Sequence, residues 1–182
     1  MNTIEKFLGH LRTVCAHRRE VRRNCFRAGI ALQGLTHDLS KFSPSEFLQS
    51  VRFYDGTHSP TEDERRTLGY SLAWMHHKGR NRHHWEYWTD YNMKEGRYVP
   101  MPMPRRYLAE TICDRIAASK IYKGAEYTDS CPIDYLQKGK MRDSMHPQTL
   151  EELTRFLMIL RDEGEDAMFT ALRPWIREEK KQ

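Results

Sequence analysis

Nine histidines stand in this chain of 182 residues, and His76, His77, His83 and His84 crowd one short window. Earlier, "LTHDLSKF" sets His37 beside Asp38, and later "ICDRIAAS" carries Asp114 inside an otherwise apolar stretch. Imidazole and carboxylate groups are the side chains that hold divalent transition metals. The candidate ligands are therefore His17, His37, Asp38, His77, one of His83 and His84, and Asp114. A mixed nitrogen and oxygen set suits Mn, Fe, Co, Ni or Zn better than Ca, and the absence of thiolates speaks against a structural zinc knot. A buried acid such as Asp114 needs a partner, which is either an arginine or a metal. His10 lies seven residues before His17 on the same helical side and is the rival first ligand.

Positioning such a set calls for several elements that converge on one pocket, as the helices of a bundle do. The apolar positions Ile4, Phe7, Leu8, Leu11, Val14, Val21, Cys25, Phe26 and Leu32 recur at the helical period, which predicts a helix over about 3–33, ended or bent by Gly34. "SPSE" at 43–46 and "SPTE" at 59–62 each read as a helix start. Serine caps, proline takes the first turn and glutamate closes a capping box. The second of these helices is expected to carry Leu68, Leu72, Trp74 and Met75 onward to His76 and His77. "YVPMPMP" at 98–104 must be extended. Pro104 opens a helix bearing Leu108, Ile112, Ile116 and Ile121, a polar loop covers about 124–145, and Pro147 opens the next helix. Gly164 separates it from a last helix whose "REEKKQ" end is expected to fray. Almost nothing alternates with period two. The expectation is an all-α, compact helical bundle, one domain over 1–182, with the candidate ligands in a core of about 10–125 and C-terminal helices of about 147–178 packed on it.

The motifs have a familiar order. "LTHDLSKF" resembles the His-Asp motif of the HD-domain superfamily of metal-dependent phosphohydrolases, with Lys41 matching its lysine and Ser40 standing where glycine is common. That superfamily places a histidine on an early helix, then His-Asp, then further histidines, then an aspartate on a late helix. Here the order is His17, His37-Asp38, "HHKGRNRHHWEYW" and Asp114. The chain is also similar to an uncharacterised bacterial and phage family that carries "HDLSKFSPSEF" and "RNxHHWxYW". The match to that pattern selects His77 over His76 and leaves His83 and His84 both open. The His17–His37 spacing is shorter than the superfamily's, which keeps His10 in play, and the compact histidine cluster leaves one or two ions open. The resemblance implies a small phosphorylated substrate, a nucleotide among the candidates. Lys41 and Arg80 are then assigned to catalysis, and Lys78 and Arg82 to substrate binding, since all four can neutralise phosphate charge. It also implies a second reading, since some members of the superfamily use the scaffold as di-iron oxygenases.

Composition bounds the rest. The net charge of +5 is compatible with anionic partners without reading as a nucleic-acid-coating tail. Arg12, Arg19, Arg22, Arg23 and Arg27 on the first helix keep a nucleic-acid or protein-binding module as a third reading. Cys15, Cys25, Cys113 and Cys131 have no CxxC spacing and are expected to be reduced, in a cytoplasmic protein. No apolar run approaches membrane-spanning length, and "MNTIEKFLGHLRTV" is amphipathic rather than a signal sequence. The aromatic surface around "HHWEYW" makes a homodimer conceivable.

Overall fold

The computed structural model describes residues 1–178. It is all-α apart from one small hairpin. Helix α1 runs Thr3–Ala28 and α2 runs Ala31–Thr36; a 3₁₀ turn at Leu39–Phe42 leads to α3, Pro44–Phe53. Then follow α4, Pro60–Leu68, and α5, Leu72–Lys78. Strands β1 (Thr89–Asn92) and β2 (Arg97–Pro100) pair antiparallel. Helix α6 spans Arg105–Lys123, α7 Cys131–Lys138, and α8 Pro147–Glu178.

Helix α6 is the middle of the molecule. Leu108, Ile112 and Ile116 are one turn apart and fully or almost fully buried, in one cluster with Val21 and Cys25 of α1, Ile133 of α7, and Phe156, Leu160 and Met168 of α8. Glu110 and Asp114, also one turn apart, face the histidines instead. One helix thus carries both the apolar core and the polar site, and its burial fixes where the acids point.

Several sequence expectations are corrected. The first helix stops at Ala28, because Gly29 takes the left-handed conformation (φ 79°) and its N–H bonds back to Cys25 and Phe26 carbonyls. Gly34, expected as the terminator, lies inside α2 against Cys25. The helix drawn from 59 to 77 is two helices, broken where Gly69 caps α4 with φ 81°. Neither Ser43 nor Ser59 makes a side-chain cap bond, and Glu46 turns into the site rather than back to the chain end. The stretch 124–145 contains α7, held by Ile133 and Leu136, which the surrounding Asp, Gly and Lys hid. The 98–104 stretch is extended as expected, but its first part pairs with β1. Gly164 breaks α8 as expected (φ 85°, ψ 175°). The frayed "REEKKQ" end falls mostly outside the described residues.

Candidate metal centre

The His37-Asp38 pair sits on a tight corner. His37 has an extended ψ of 128° and Asp38 is left-handed (φ 55°), the one non-glycine residue with positive φ among those described. Aspartate tolerates this conformation better than most residues, at some cost in strain. The corner lets neighbouring side chains enter the same space, with His37 Nε2 3.3 Å from Asp38 Oδ2. Arg18 fastens it from α1: its Nε donates to the His37 carbonyl at 2.8 Å and its Nη2 to Leu35 at 3.2 Å.

Around Asp38 the other ligands divide into two sets. His17 of α1, His37 and Asp114 of α6 bring ligand atoms within 4.8 Å of one another. His17 Nε2 stands 2.9 Å from Asp114 Oδ1 and 3.7 Å from Asp38 Oδ2. The second set is Asp38, His77, His83 and His84, again within 4.8 Å. His77 Nε2 and His83 Nε2 lie 3.3 and 3.4 Å from Asp38 Oδ1. One carboxylate therefore offers Oδ2 to the first set and Oδ1 to the second. Both His83 and His84 take part.

The orphaned atoms bear on what these sets could hold. Nε2 of His17, His37, His83 and His84, together with Asp38 Oδ1, is buried with no aligned hydrogen-bond partner. Unpaired buried polar atoms are costly and scarce in native proteins. All five are of ligand type and belong to the groups that could hold a metal ion.

The opposite edges of three of the ligand rings are occupied. Nδ1 of His37 and of His83 meets Glu110 Oε1 at 2.9 and 3.1 Å. Nδ1 of His77 meets Glu46 Oε1 at 2.6 Å, and Nδ1 of His76 meets Glu46 Oε2 at 2.9 Å. Two buried acids thus fix the orientation and tautomer of three ligand rings, as carboxylates commonly do around metal-binding histidines. Further out, Glu64, fully buried, accepts from Ser71, Leu72 and Ala73 and so ties α4 to the start of α5, the helix that presents His77.

Electrostatics follow from this crowding. Burial favours the neutral form of His17, and the Lys41 charge adds to it; both lower its pKa against the pull of Asp114 and Asp38. His84 is held well below the ordinary range by burial and by the charges of His83 and His77. For His37, burial is outweighed by Asp38, Asp114 and Glu110, which raise it well above that range. Burial opposes ionisation of Asp38 too, but His37, Lys41 and His77 keep its carboxyl well below the usual range. Burial opposes ionisation of Asp114 in the same way, and His17 and His37 overcome it.

The cations assigned from sequence separate. Lys41 Nζ is 2.8 Å from Asp38 Oδ2, at the edge of the cluster. Lys78 is half-buried at the last position of α5. Arg80 is exposed, with Nη1 donating to the His76 carbonyl at 3.3 Å, and is not brought to the ligands. Arg82 is exposed, donating to the Tyr107 hydroxyl at 3.1 Å and lying over Tyr87 and Tyr107. His10 is buried between Phe47 and Tyr54 and enters neither ligand set. Sequence reasoning missed Glu46, Glu110 and Arg18. Glu110 had a signal, standing one helical turn before Asp114; Glu46 was obscured by its resemblance to a capping residue.

A profile of a family of unknown function, DUF5662, matches residues 6–159. The chain belongs to that family. The match takes in every member of both ligand sets. No curated protein and no solved structure matches the chain. Among the described residues, no helix is long and apolar enough to cross a membrane.

Proposed function

We propose that this protein is a metal-dependent phosphohydrolase of the HD-domain type, acting on a nucleotide or another small phosphorylated molecule. The observation that carries this reading is the convergence of two ligand sets on the two oxygens of Asp38, with five buried ligand-type atoms lacking an aligned hydrogen-bond partner. The order of the ligands along the chain supports it as well. His17, His37 and Asp114 would hold one ion, His77, His83 and His84 a second, and Asp38 both. A bound divalent ion would supply a water of lowered pKa and a Lewis acid for a phosphoryl oxygen.

The chain's own residues do the rest. Glu110 and Glu46 keep Nε2 of His37, His83 and His77 free by occupying Nδ1. Lys41 remains a cation, since Asp38 and Asp114 outweigh its burial. From the edge of the cluster it would meet a phosphoryl oxygen. Trp74 packs edge-on to His84 with ring centres 4.6 Å apart and covers that side of the ring.

The test is direct. Protein loaded with Mn, Fe, Co, Ni or Zn should release phosphate from some member of a nucleotide panel, and His37→Ala and Asp38→Asn should each abolish release. Activity that survives both changes overturns the reading. The shared Asp38 also suits two irons. If the purified protein holds two irons and consumes oxygen without releasing phosphate, the di-iron oxygenase reading replaces this one.

A further inference from the structure

Beside the metal centre lies a second set of unpaired groups. Arg115 follows Asp114 on α6, and its Nε and Nη1 are buried with no hydrogen-bond partner. Among the described residues its side chain forms no hydrogen bond and no ion pair. Its position is fixed by its neighbours. Thr111, one turn earlier on α6, donates to the His83 carbonyl, so this side of the helix faces the 83–87 segment. Glu86 of that segment also has a buried, unpaired oxygen, Oε2.

The local charge is lopsided. Three cations, Lys78, Arg115 and Arg65, act on Glu86, and Arg115 is drawn by two acids, Asp114 and Glu86, of which Asp114 is already engaged by His17 and His37. Lys78, like Arg115, forms no ion pair among the described residues. Arg65 stacks on Trp74, the ring that packs against His84, so this basic corner adjoins the second ligand set.

A buried guanidinium without an acceptor is costly, and oxyanions are the acceptors whose charge and geometry suit it. We infer that Arg115, assisted by Lys78 and Arg65, forms an oxyanion pocket beside the metal centre that holds a phosphate group of the substrate. The assignment of phosphate rests on the phosphohydrolase reading; the pocket itself rests on the unpaired cations. Its role is positioning, which makes it distinct from the surface arginines Arg80 and Arg82.

Inorganic phosphate titrated calorimetrically into the full-length, metal-loaded protein tests it. Arg115→Gln should weaken phosphate binding by roughly tenfold to a hundredfold with metal content unchanged, since a charge-assisted contact is lost. Arg115→Lys should give a smaller loss, and Arg80→Gln none. If Arg115→Gln does not fold, Arg115→Lys and Lys78→Gln carry the measurement. Phosphate affinity within about twofold of the wild type in the folded Arg115 variants, or in both substitutes, overturns the inference. Should the protein release phosphate from no nucleotide while phosphate binding still depends on Arg115, the phosphohydrolase reading falls and the pocket stands. Should release occur with KM and phosphate affinity indifferent to Arg115, the pocket falls and the phosphohydrolase reading stands.

Discussion

Helix α1 presents two buried histidines on one side, seven residues apart, and they have different surroundings. His17 enters a space lined by Asp38 and Asp114 on neighbouring elements. His10 enters a space lined by the rings of Phe47 and Tyr54, where neither nitrogen has a partner. Both are held in the neutral form, His17 by full burial and Lys41, His10 by burial that pushes its pKa down to about 4. Neutrality therefore does not make a ligand. What separates the two is what meets the ring: the carboxylates of Asp38 and Asp114 at His17, the aromatic rings of Phe47 and Tyr54 at His10.

The sharpest way to break this comparison is at the shared carboxylate. Asp38→Asn keeps a residue that tolerates the left-handed corner while removing the charge both ligand sets use. Bound metal and phosphate release should fall below detection, with a circular dichroism spectrum like the wild type's. Retained stoichiometric metal would mean that the two sets do not meet at Asp38.

Next comes the pair itself. His17→Leu should lower the metal content measured by elemental analysis, emptying the set that includes Asp114. His10→Leu should leave it unchanged. Equal losses would show that the upper half of α1 also serves the site.

The acids behind the rings should matter less than the ligands. Glu46→Gln and Glu110→Gln should each weaken metal binding about 10–100-fold, read by competition with a chelating dye. Unaltered affinity would show that packing alone orients the rings.

The pH dependence of stability separates the histidines again. The folded-state pKa of His10 lies below its unfolded value of 6.5, so the unfolded chain takes up the extra proton between pH 6.5 and about 4. The stability associated with His10 is thus present above pH 6.5 and lost as pH falls through that window. His10→Leu should remove about 2 kcal/mol of the loss between pH 7 and 5, measured by denaturant unfolding. A variant with the same pH profile as the wild type would show that His10 is protonated at no cost.

The smallest effect concerns the path to His77. Gly69→Ala should cost about 1–2 kcal/mol, since alanine resists the left-handed cap between α4 and α5. A rise in thermal stability instead would mean that the corner relaxes freely.

Much of the site was legible because ligands must be of few residue types, and such residues are conspicuous in apolar helices. His17, His37, Asp38 and Asp114 stood out by type and order, and His77 by local pattern. Residues that act on ligands were harder to see. Glu46 has a perfectly good local explanation as a capping residue, and only the approach of α5 to α3 gives it His76 and His77 as partners. Arg80 and Arg82 looked well placed in sequence because they sit among the histidines, but the turn after α5 directs them outward. The fold divides similarly. Strong apolar periodicity announced α1, α6 and α8. The breaks at Gly29 and Gly69 and the short α7 depended on contacts that periodicity does not encode.

The sequence by itself determined that the chain is helical and which side chains have metal-binding chemistry, because period and donor type are local properties. Tertiary structure alone decided that Asp38 faces both sets, that His17 and not His10 meets them, and that Arg115 lies unpaired beside them. Those outcomes depend on which elements pack together, and a carboxylate or a ring acquires its role only from what the opposing element brings within about 3–4 Å.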